Sequence, residues 1–299
     1  MDSSTLDDVI QRAVWRGLAL NKDTVELVDT GLDFQVALAD DAAGERWVLR
    51  IPRRPDVVER MDDEARILDL VRPHLSVAVP DWTIRSEELL AYRALPGHPG
   101  LTLRGGEPQW HMDPESHEFA TALGRLLAEL HSIDVDQARD AGVEIRTPEQ
   151  TRQRWQEEVD QVSGEFDVAG ELLTRWRTWL DADELWPDRT VMTHGELYPA
   201  HILLGDTGEI TGVLDWTTAR VDDPGRDFTY QFSIGGQEAF DLTVAAYEEA
   251  GGTVWPKLAE HCHELWAASP VAYGMFALTT GEPQHRIAAA ALLNPEATG

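Results

Sequence analysis

Cysteine is nearly absent from this chain of 299 residues: Cys262 stands alone. One thiol excludes an intrachain disulfide framework and suits a reducing cytoplasm, where it reads as a plain packed side chain. Positive charge is scarce as well. The 25 Lys and Arg are outnumbered by 54 Asp and Glu, for a net charge of −29. Such a field disfavours nucleic acid or an anionic membrane as partner, because both bind through basic surface. Long apolar runs are missing too: nothing approaches the roughly 18 uninterrupted apolar residues of a membrane span. The acidic opening, Met1 to Asp8, lacks the pattern of a secretory signal. No internal repeat or low-complexity segment stands out. What is present is globular: 42% hydrophobic and 26% charged, with length enough for one large domain or two lobes. Most carboxylates form a solvated surface, and some can line a cleft that attracts a cationic substrate. A bound nucleotide would need magnesium and local basic or backbone donors against the same field.

The pattern predicts an opening helix over Leu6 to Leu20. Strands follow at 25–28, 34–38 and 46–51 as an antiparallel meander. Asp56 to Val71 reads as a helix with Met61, Ala65 and Leu68 on one side. Two more strands are expected between Val79-Pro80-Asp81-Trp82 and Tyr92-Arg93-Ala94-Leu95. Pro96-Gly97-His98-Pro99-Gly100 is the strongest break, and we read it as a hinge. Beyond it helices dominate. Pro114 to His131 is the clearest, with Phe119, Leu123, Leu126, Leu127 and Leu130 as one apolar stripe. Others are expected at 148–162, 168–180, 237–250, 256–266 and 271–278. Trp176 and Trp179 share a helix face and read as core.

The densest chemistry lies in His194-Gly195-Glu196-Leu197-Tyr198-Pro199-Ala200-His201, followed by Val213-Leu214-Asp215-Trp216. A carboxylate precedes an imidazole by five residues, and a second carboxylate follows after fourteen more. Phosphoryl transfer needs one carboxylate to orient the attacking hydroxyl and accept its proton, and two ligands to hold magnesium on the nucleotide phosphates. Taken only as local structure, the stretch is a polar loop entering a hairpin, with Ile202-Leu203-Leu204 and Ile210 to Leu214 as strands and Gly205 to Glu209 as the turn. That accounts for the strands but not for two His and two carboxylates at their ends. The spacing resembles the catalytic loop and metal-binding aspartate of the protein-kinase fold. The flanking letters resemble the antibiotic phosphotransferases, whose loop usually reads His-Gly-Asp with Asn or His five residues after the Asp. The resemblance implies Glu196 as base, one methylene longer than the usual Asp, with His194 fixing the loop. It implies His201 and Asp215 as metal ligands, His201 standing where protein kinases place Asn.

The same resemblance places Arg50 where a strand Lys usually holds the nucleotide phosphates. Glu64, in Glu64-Ala65-Arg66-Ile67-Leu68, becomes its helix partner; read without the family, both are surface charges. Gly31, in the turn Thr30 to Phe34, stands for a reduced glycine-rich loop, and Leu95 completes the nucleotide-binding set before the hinge. After Asp215 the run Trp216-Thr217-Thr218-Ala219-Arg220-Val221-Asp222-Asp223-Pro224 is closer to macrolide than to aminoglycoside phosphotransferases. Asp227 caps a helix or buttresses the loop. Asp223, Asp227, Tyr273 and Phe276 are candidate acceptor contacts, the last two from an apolar stretch, 271–278, that also reads as helix packing.

The expectation is an α+β protein of the protein-kinase-like two-lobe fold. Residues 1–95 form a small antiparallel-sheet N-lobe, 96–100 the hinge, and 101–299 a mainly helical C-lobe with the catalytic loop and acceptor pocket. The function implied is a macrolide 2′-phosphotransferase: the γ-phosphate of GTP, or of ATP, passes with Mg²⁺ to the amino-sugar hydroxyl of a macrolide. Another small-molecule kinase, for aminoglycosides or a metabolite alcohol, and a non-catalytic nucleotide-binding relative remain open. A cytoplasmic monomer is expected.

Overall fold

A computed structural model describes residues 3–28, 33–104 and 107–295. The chain divides into two compact units. The first comprises Met1–Asp113, Ala141–Val143 and Pro199–Ala219, and the second Pro114–Asp140, Glu144–Tyr198 and Arg220–Gly299.

The first unit is built on an antiparallel sheet of β1 (Glu26–Val28), β2 (Phe34–Asp40), β3 (Arg46–Pro52), β4 (Ile84–Ser86) and β5 (Leu89–Arg93), in the order β1-β2-β3-β5-β4. Alternation along β3 sorts its side chains to two faces. Trp47, Leu49 and Ile51 pack with Val9 and Ala13 of α1 (Ser3–Trp15). Arg50 points the other way, opposite Val36 and Leu90 on the neighbouring strands. On that face Phe34 and Leu90 pack against Val57 and Met61 of α2 (Pro55–Val71). The strand pair expected after residue 78 begins later than the sequence suggested, at Ile84. Pro80 has no N–H to give a ladder, and Val79 to Trp82 lie outside any strand.

The segment read as a break contains a two-residue strand, β6 (His98–Pro99), followed by a ribbon of β7 (Leu101–Arg104) and β8 (Glu107–Trp110). Gly97 has φ of 98°. A Cβ there would run into the Leu204 carbonyl and the Thr211 side chain, so the close approach requires glycine.

The second unit contains α3 (His117–His131), α4 (Val135–Asp140), α5 (Pro148–Glu165), α6 (Gly170–Asp181), and the short strand β9 (Val191–Thr193). The chain then returns to the first unit for the hairpin β10 (Ile202–Leu204) and β11 (Ile210–Val213), whose β10 also pairs with β6. It re-enters the second unit at β12 (Arg220–Asp222), which pairs antiparallel with β9. The chain continues through α7 (Gly225–Ile234), α8 (Gly236–Glu249), α9 (Leu258–Ala267), α10 (Ser269–Thr280) and α11 (Pro283–Leu293).

The stripe on α3 is buried throughout. Its Gly124 lets α8 approach closely enough that a Cβ would clash with the Thr243 carbonyl. A second core gathers Trp176, Trp179 and Trp186 with Val271 and Leu293. Helix α11 escaped the sequence reading because its Ala-rich run shows little amphipathic contrast, with only Ala289 and Leu293 buried. No helix among the described residues is long and apolar enough to cross a membrane.

Candidate active site

In the first unit the strand alternation that turns Arg50 from the α1 face aims it at α2. There Glu64 sits in the buried stripe Val57, Met61, Glu64, Leu68. Arg50 Nη1 donates to Glu64 Oε1 at 2.8 Å, and both side chains are buried. The guanidinium also lies over the Phe34 ring, 3.9 Å from its centroid. Burial works against the charge on Arg50, but Glu64 and Asp215 outweigh it and hold the guanidinium protonated. Burial raises the Glu64 carboxyl; Arg50 pulls it back, Asp215 pushes it further up, and a backbone hydrogen bond from Trp216 lowers it. The chain has only two lysines, Lys22 and Lys257, so Arg is the cation available to this strand.

The hairpin β10–β11 brings His201 and Asp215 together at its open end. His201 Nε2 lies 3.6 Å from Asp215 Oδ2, and the Leu214 N–H donates to the His201 carbonyl at 2.8 Å. Asp215 is the one non-glycine residue with positive φ among the described residues, at 61°. Asp tolerates the left-handed region better than most side chains because its short polar arm bonds locally; here Oδ1 accepts from Thr217 Oγ1 at 2.7 Å. Such conformations cluster at functional sites. Leu95 is half-buried beside Gly212 in the same unit. Gly31 lies outside the described residues.

In the second unit, β9 leads directly into the turn His194-Gly195-Glu196. Gly195 takes φ of 84°, which a glycine reaches without strain. The turn hangs on Asp227, in the first turn of α7. Its Oδ2 accepts from the His194 N–H at 2.9 Å and from His131 Nε2 at 3.1 Å, and its Oδ1 accepts from the Gly195 N–H at 2.6 Å. Burial disfavours this carboxylate's charge, but His131, His194 and the loop N–H outweigh it and hold its pKa below the ordinary value. His131 Nδ1 in turn meets the Tyr247 hydroxyl at 3.1 Å. An ionised carboxylate only accepts, so Nε2 carries a proton and donates to Asp227. The buried His194 accepts the Glu196 N–H on Nδ1 at 3.3 Å. Arg226 closes the frame, bonding Asp222 at 2.8 Å and the Gly195 carbonyl at 3.2 Å. The network fixes the backbone leading into Glu196 by hydrogen bonds inside one unit.

The acceptor candidates fall elsewhere. Asp223 and Asp227, offered by sequence as acceptor contacts, are fully buried. Asp227 serves the loop. Asp223 accepts from His261 Nε2 at 2.6 Å and from the Gly225 N–H at 2.8 Å, tying α7 to α9. Each lies inside the packing with its oxygens committed to donors of the same unit. Tyr273 and Phe276 are half-buried on α10, stacked on each other and edge-on to His285 of α11, with the Tyr273 hydroxyl 3.0 Å from His285 Nδ1. A row of aromatics that the sequence reading did not single out begins two residues after Glu196. Tyr198 stacks on Tyr230 of α7, and Tyr230 meets the edge of Trp266 of α9. Tyr198 lay inside the quoted motif; its partners come from helices whose approach no spacing announces.

A model of the phosphotransferase enzyme family matches residues 24–261. The chain belongs to this family. It is similar to the macrolide 2′-phosphotransferase MphH from Brachybacterium faecium, 48% identical over 98% of both chains with a TM-score of 0.90. It is also similar to a macrolide 2′-phosphotransferase of type I, at 39% identity and a TM-score of 0.91 over 98% of both chains. A Bacillus subtilis relative, the uncharacterized protein YcbJ, is 39% identical over 288 residues, 95% of this chain and 94% of its own. An aminoglycoside 2′-phosphotransferase solved with GDP shares the fold at 20% identity and a TM-score of 0.75. The protein is thus a phosphotransferase of protein-kinase-like fold, with an antiparallel-sheet N-terminal region and a helical C-terminal region.

Proposed function

We propose that this phosphotransferase moves the γ-phosphate of GTP to the 2′-hydroxyl of a macrolide's amino sugar. The observation that carries the reading is the 48% identity to MphH over nearly the whole of both chains. The likeness to aminoglycoside enzymes is one of fold, at 20% identity or below.

Each residue then has a chemical task. Glu196 accepts the proton of the attacking hydroxyl, and Asp227 with His194 fixes the backbone that carries it. Precision matters here, because a displacement of about 1 Å at a reacting centre can cost on the order of a hundredfold in rate. Arg50, stacked on Phe34 and braced by Glu64, binds the nucleotide phosphates through its planar fork. Gly31 and Leu95 contribute to the nucleotide site, residues 1–95 act as the nucleotide-covering lobe, and residues 96–100 act as a hinge.

His201 and Asp215 would hold magnesium. The Asp215 carboxylate fits that hard ion, which prefers oxygen, keeps several waters and takes phosphate oxygens besides, and the His201 imidazole would be the weaker second ligand. Among the described residues no group of three or more His, Cys, Asp or Glu forms a cage, which suits a metal arriving on the nucleotide. When bound, magnesium offsets phosphate charge that the net −29 of the chain would otherwise repel.

Initial rates with erythromycin and kanamycin, each with GTP and with ATP, test the reading. Phosphorylation of erythromycin with a higher kcat/KM for GTP is expected. Phosphorylation of kanamycin without erythromycin overturns the substrate assignment.

A further inference from the structure

The peptide bond between Gly195 and Glu196 is held at both ends by side chains of the second unit. Its C=O accepts from Arg226 Nη2 at 3.2 Å, and its N–H donates to His194 Nδ1 at 3.3 Å. A peptide is planar, so fixing the directions of its C=O and N–H removes the free rotation of the plane. That plane is the last rigid group before the Glu196 Cα. It sets the direction in which the Glu196 side chain leaves the backbone. Glutamate amplifies any tilt of it, because its carboxylate sits one methylene further from the Cα than an aspartate's.

Arg226 reaches this carbonyl from a fixed post. Its other terminal nitrogen, Nη1, donates to Asp222 Oδ2 at 2.8 Å. One planar guanidinium therefore spans a carboxylate and a carbonyl, and its rigid fork sets the spacing between them. Asp222 is clamped in turn. Its Oδ1 accepts from Thr151 Oγ1 of α5 at 2.5 Å and from the Asp223 N–H at 2.9 Å. Thr151 and Asp222 are both buried. Arg146 and Arg220 stand further from the same carboxylate, at 3.5 and 3.9 Å, so Arg226 is the closest of the three cations. Burial works against the charges of Arg226 and Asp222, and each offsets that for the other. The chain of contacts from α5 to the Gly195 carbonyl is thus ionised and hydrogen-bonded at every step.

We infer that Arg226 is a positioning residue for phosphoryl transfer: with Asp222 and Thr151 it ties α5 to the Gly195–Glu196 peptide and so aims the Glu196 carboxylate. This rests on the reading of Glu196 as base and deepens it by naming residues outside the turn that hold the base in register. Asp227 holds the N–H groups of His194 and Gly195, whereas the Arg226 relay holds the Gly195 carbonyl, a separate constraint. The relay acts through the backbone that carries the base. Its loss should therefore lower kcat while the KM values for nucleotide and acceptor stay.

R226K keeps the charge but not the fork, and T151V removes one hydroxyl and no charge. Asp222 keeps a cation in both, so both should fold, which thermal melts check. GTP-dependent phosphorylation of erythromycin is measured well below each melt. R226K should lower kcat at least about tenfold and T151V about threefold, with both KM values within about twofold of the intact chain. T151S returns the hydroxyl and should restore kcat. R154Q removes an exposed ion pair from the same helix and should change nothing. The double variant decides whether the residues act as one relay. T151V added to R226K should then cost little more than R226K alone, whereas two independent defects multiply. Wild-type kcat in both single variants, or multiplied losses in the double one, overturns the inference. E196Q separates this from the underlying reading. Full turnover in E196Q removes the base and the inference with it; an inactive E196Q beside unaffected R226K and T151V keeps the base and removes the relay. Should erythromycin not be phosphorylated, the macrolide reading fails by itself. The Glu196 amide resonance of a ¹⁵N-glutamate-labelled chain, assigned by its loss in E196Q, then carries the test. A shift of it in T151V supports the relay, and none overturns it.

Discussion

Asp227→Asn is the sharpest probe of how the catalytic turn is held. The substitution keeps shape and volume, so no cavity confuses the result. The carboxylate accepts three hydrogen bonds, from His131, the His194 N–H and the Gly195 N–H. A carboxamide has one oxygen and one NH2. Its least costly orientation gives the oxygen to the Oδ2 position, where two donors converge, and turns NH2 toward the Gly195 N–H. The Gly195 N–H and the new NH2 then face each other without an acceptor, at about 1–3 kcal/mol, and the remaining bonds lose charge assistance worth roughly 1 kcal/mol. The sum is roughly 3 kcal/mol of stability, about a hundredfold in the folding equilibrium. Urea unfolding at pH 7 measures it. The pH dependence supplies a second check. The folded pKa of Asp227 lies below its ordinary value of 3.8. Its contribution is therefore complete above that ordinary value and is lost as pH falls through the depressed folded one. The gap between wild type and Asp227→Asn should be constant from about pH 5 to 8 and narrow below about pH 4. Because the two N–H groups hold the backbone immediately before Glu196, kcat should also fall at least about tenfold, with little change in nucleotide KM. An Asp227→Asn protein within about 0.5 kcal/mol of wild type, the scatter of neutral surface changes, would refute the network as a structural device.

Glu196→Gln should abolish turnover while leaving nucleotide affinity nearly intact, since a carboxamide cannot take the hydroxyl proton; wild-type turnover in this variant would remove Glu196 as base. Arg50→Lys should raise nucleotide KM by about tenfold, because an ammonium neither stacks on Phe34 as a plane nor reaches Glu64 with the same fork; steady-state kinetics against GTP read this directly. Asp215→Asn tolerates the left-handed backbone and so should fold, yet it should lose magnesium-dependent activity more severely than His201→Ala, since it removes the charged ligand. Magnesium titration of both variants decides, and the reverse order would exchange the two assignments. Tyr247→Phe removes the hydroxyl that pairs with His131 Nδ1 and should cost about 1–2 kcal/mol, seen in urea unfolding, with a change in the histidine ¹⁵N shifts that a purely packing role would not produce.

Features that depend on local period and composition are legible along the chain. The meander, the α2 and α3 stripes and the β10–β11 hairpin follow from which neighbours along the chain are apolar. Arg50 and Glu64 could be paired because strand alternation and helical spacing each fix the face a side chain occupies, and a family pattern named the two positions. His201 and Asp215 could be paired because a hairpin of known length joins them. Tertiary structure decided what depends on meetings between distant segments. His131, at the end of the α3 stripe, looks like one more core residue until Asp227 and Tyr247 arrive from positions 96 and 116 residues away. Asp222, Asp223 and Asp227 look alike in a row of acidic letters, and an acidic run alone suggests a face for a cation. Packing turns Asp223 onto His261 and Asp227 onto the His194-Gly195 backbone, because a buried carboxylate must find donors wherever the fold brings them. The row from Tyr198 to Trp266 depends in the same way on how α7 crosses α9, and no pattern of neighbours along the chain contains that crossing.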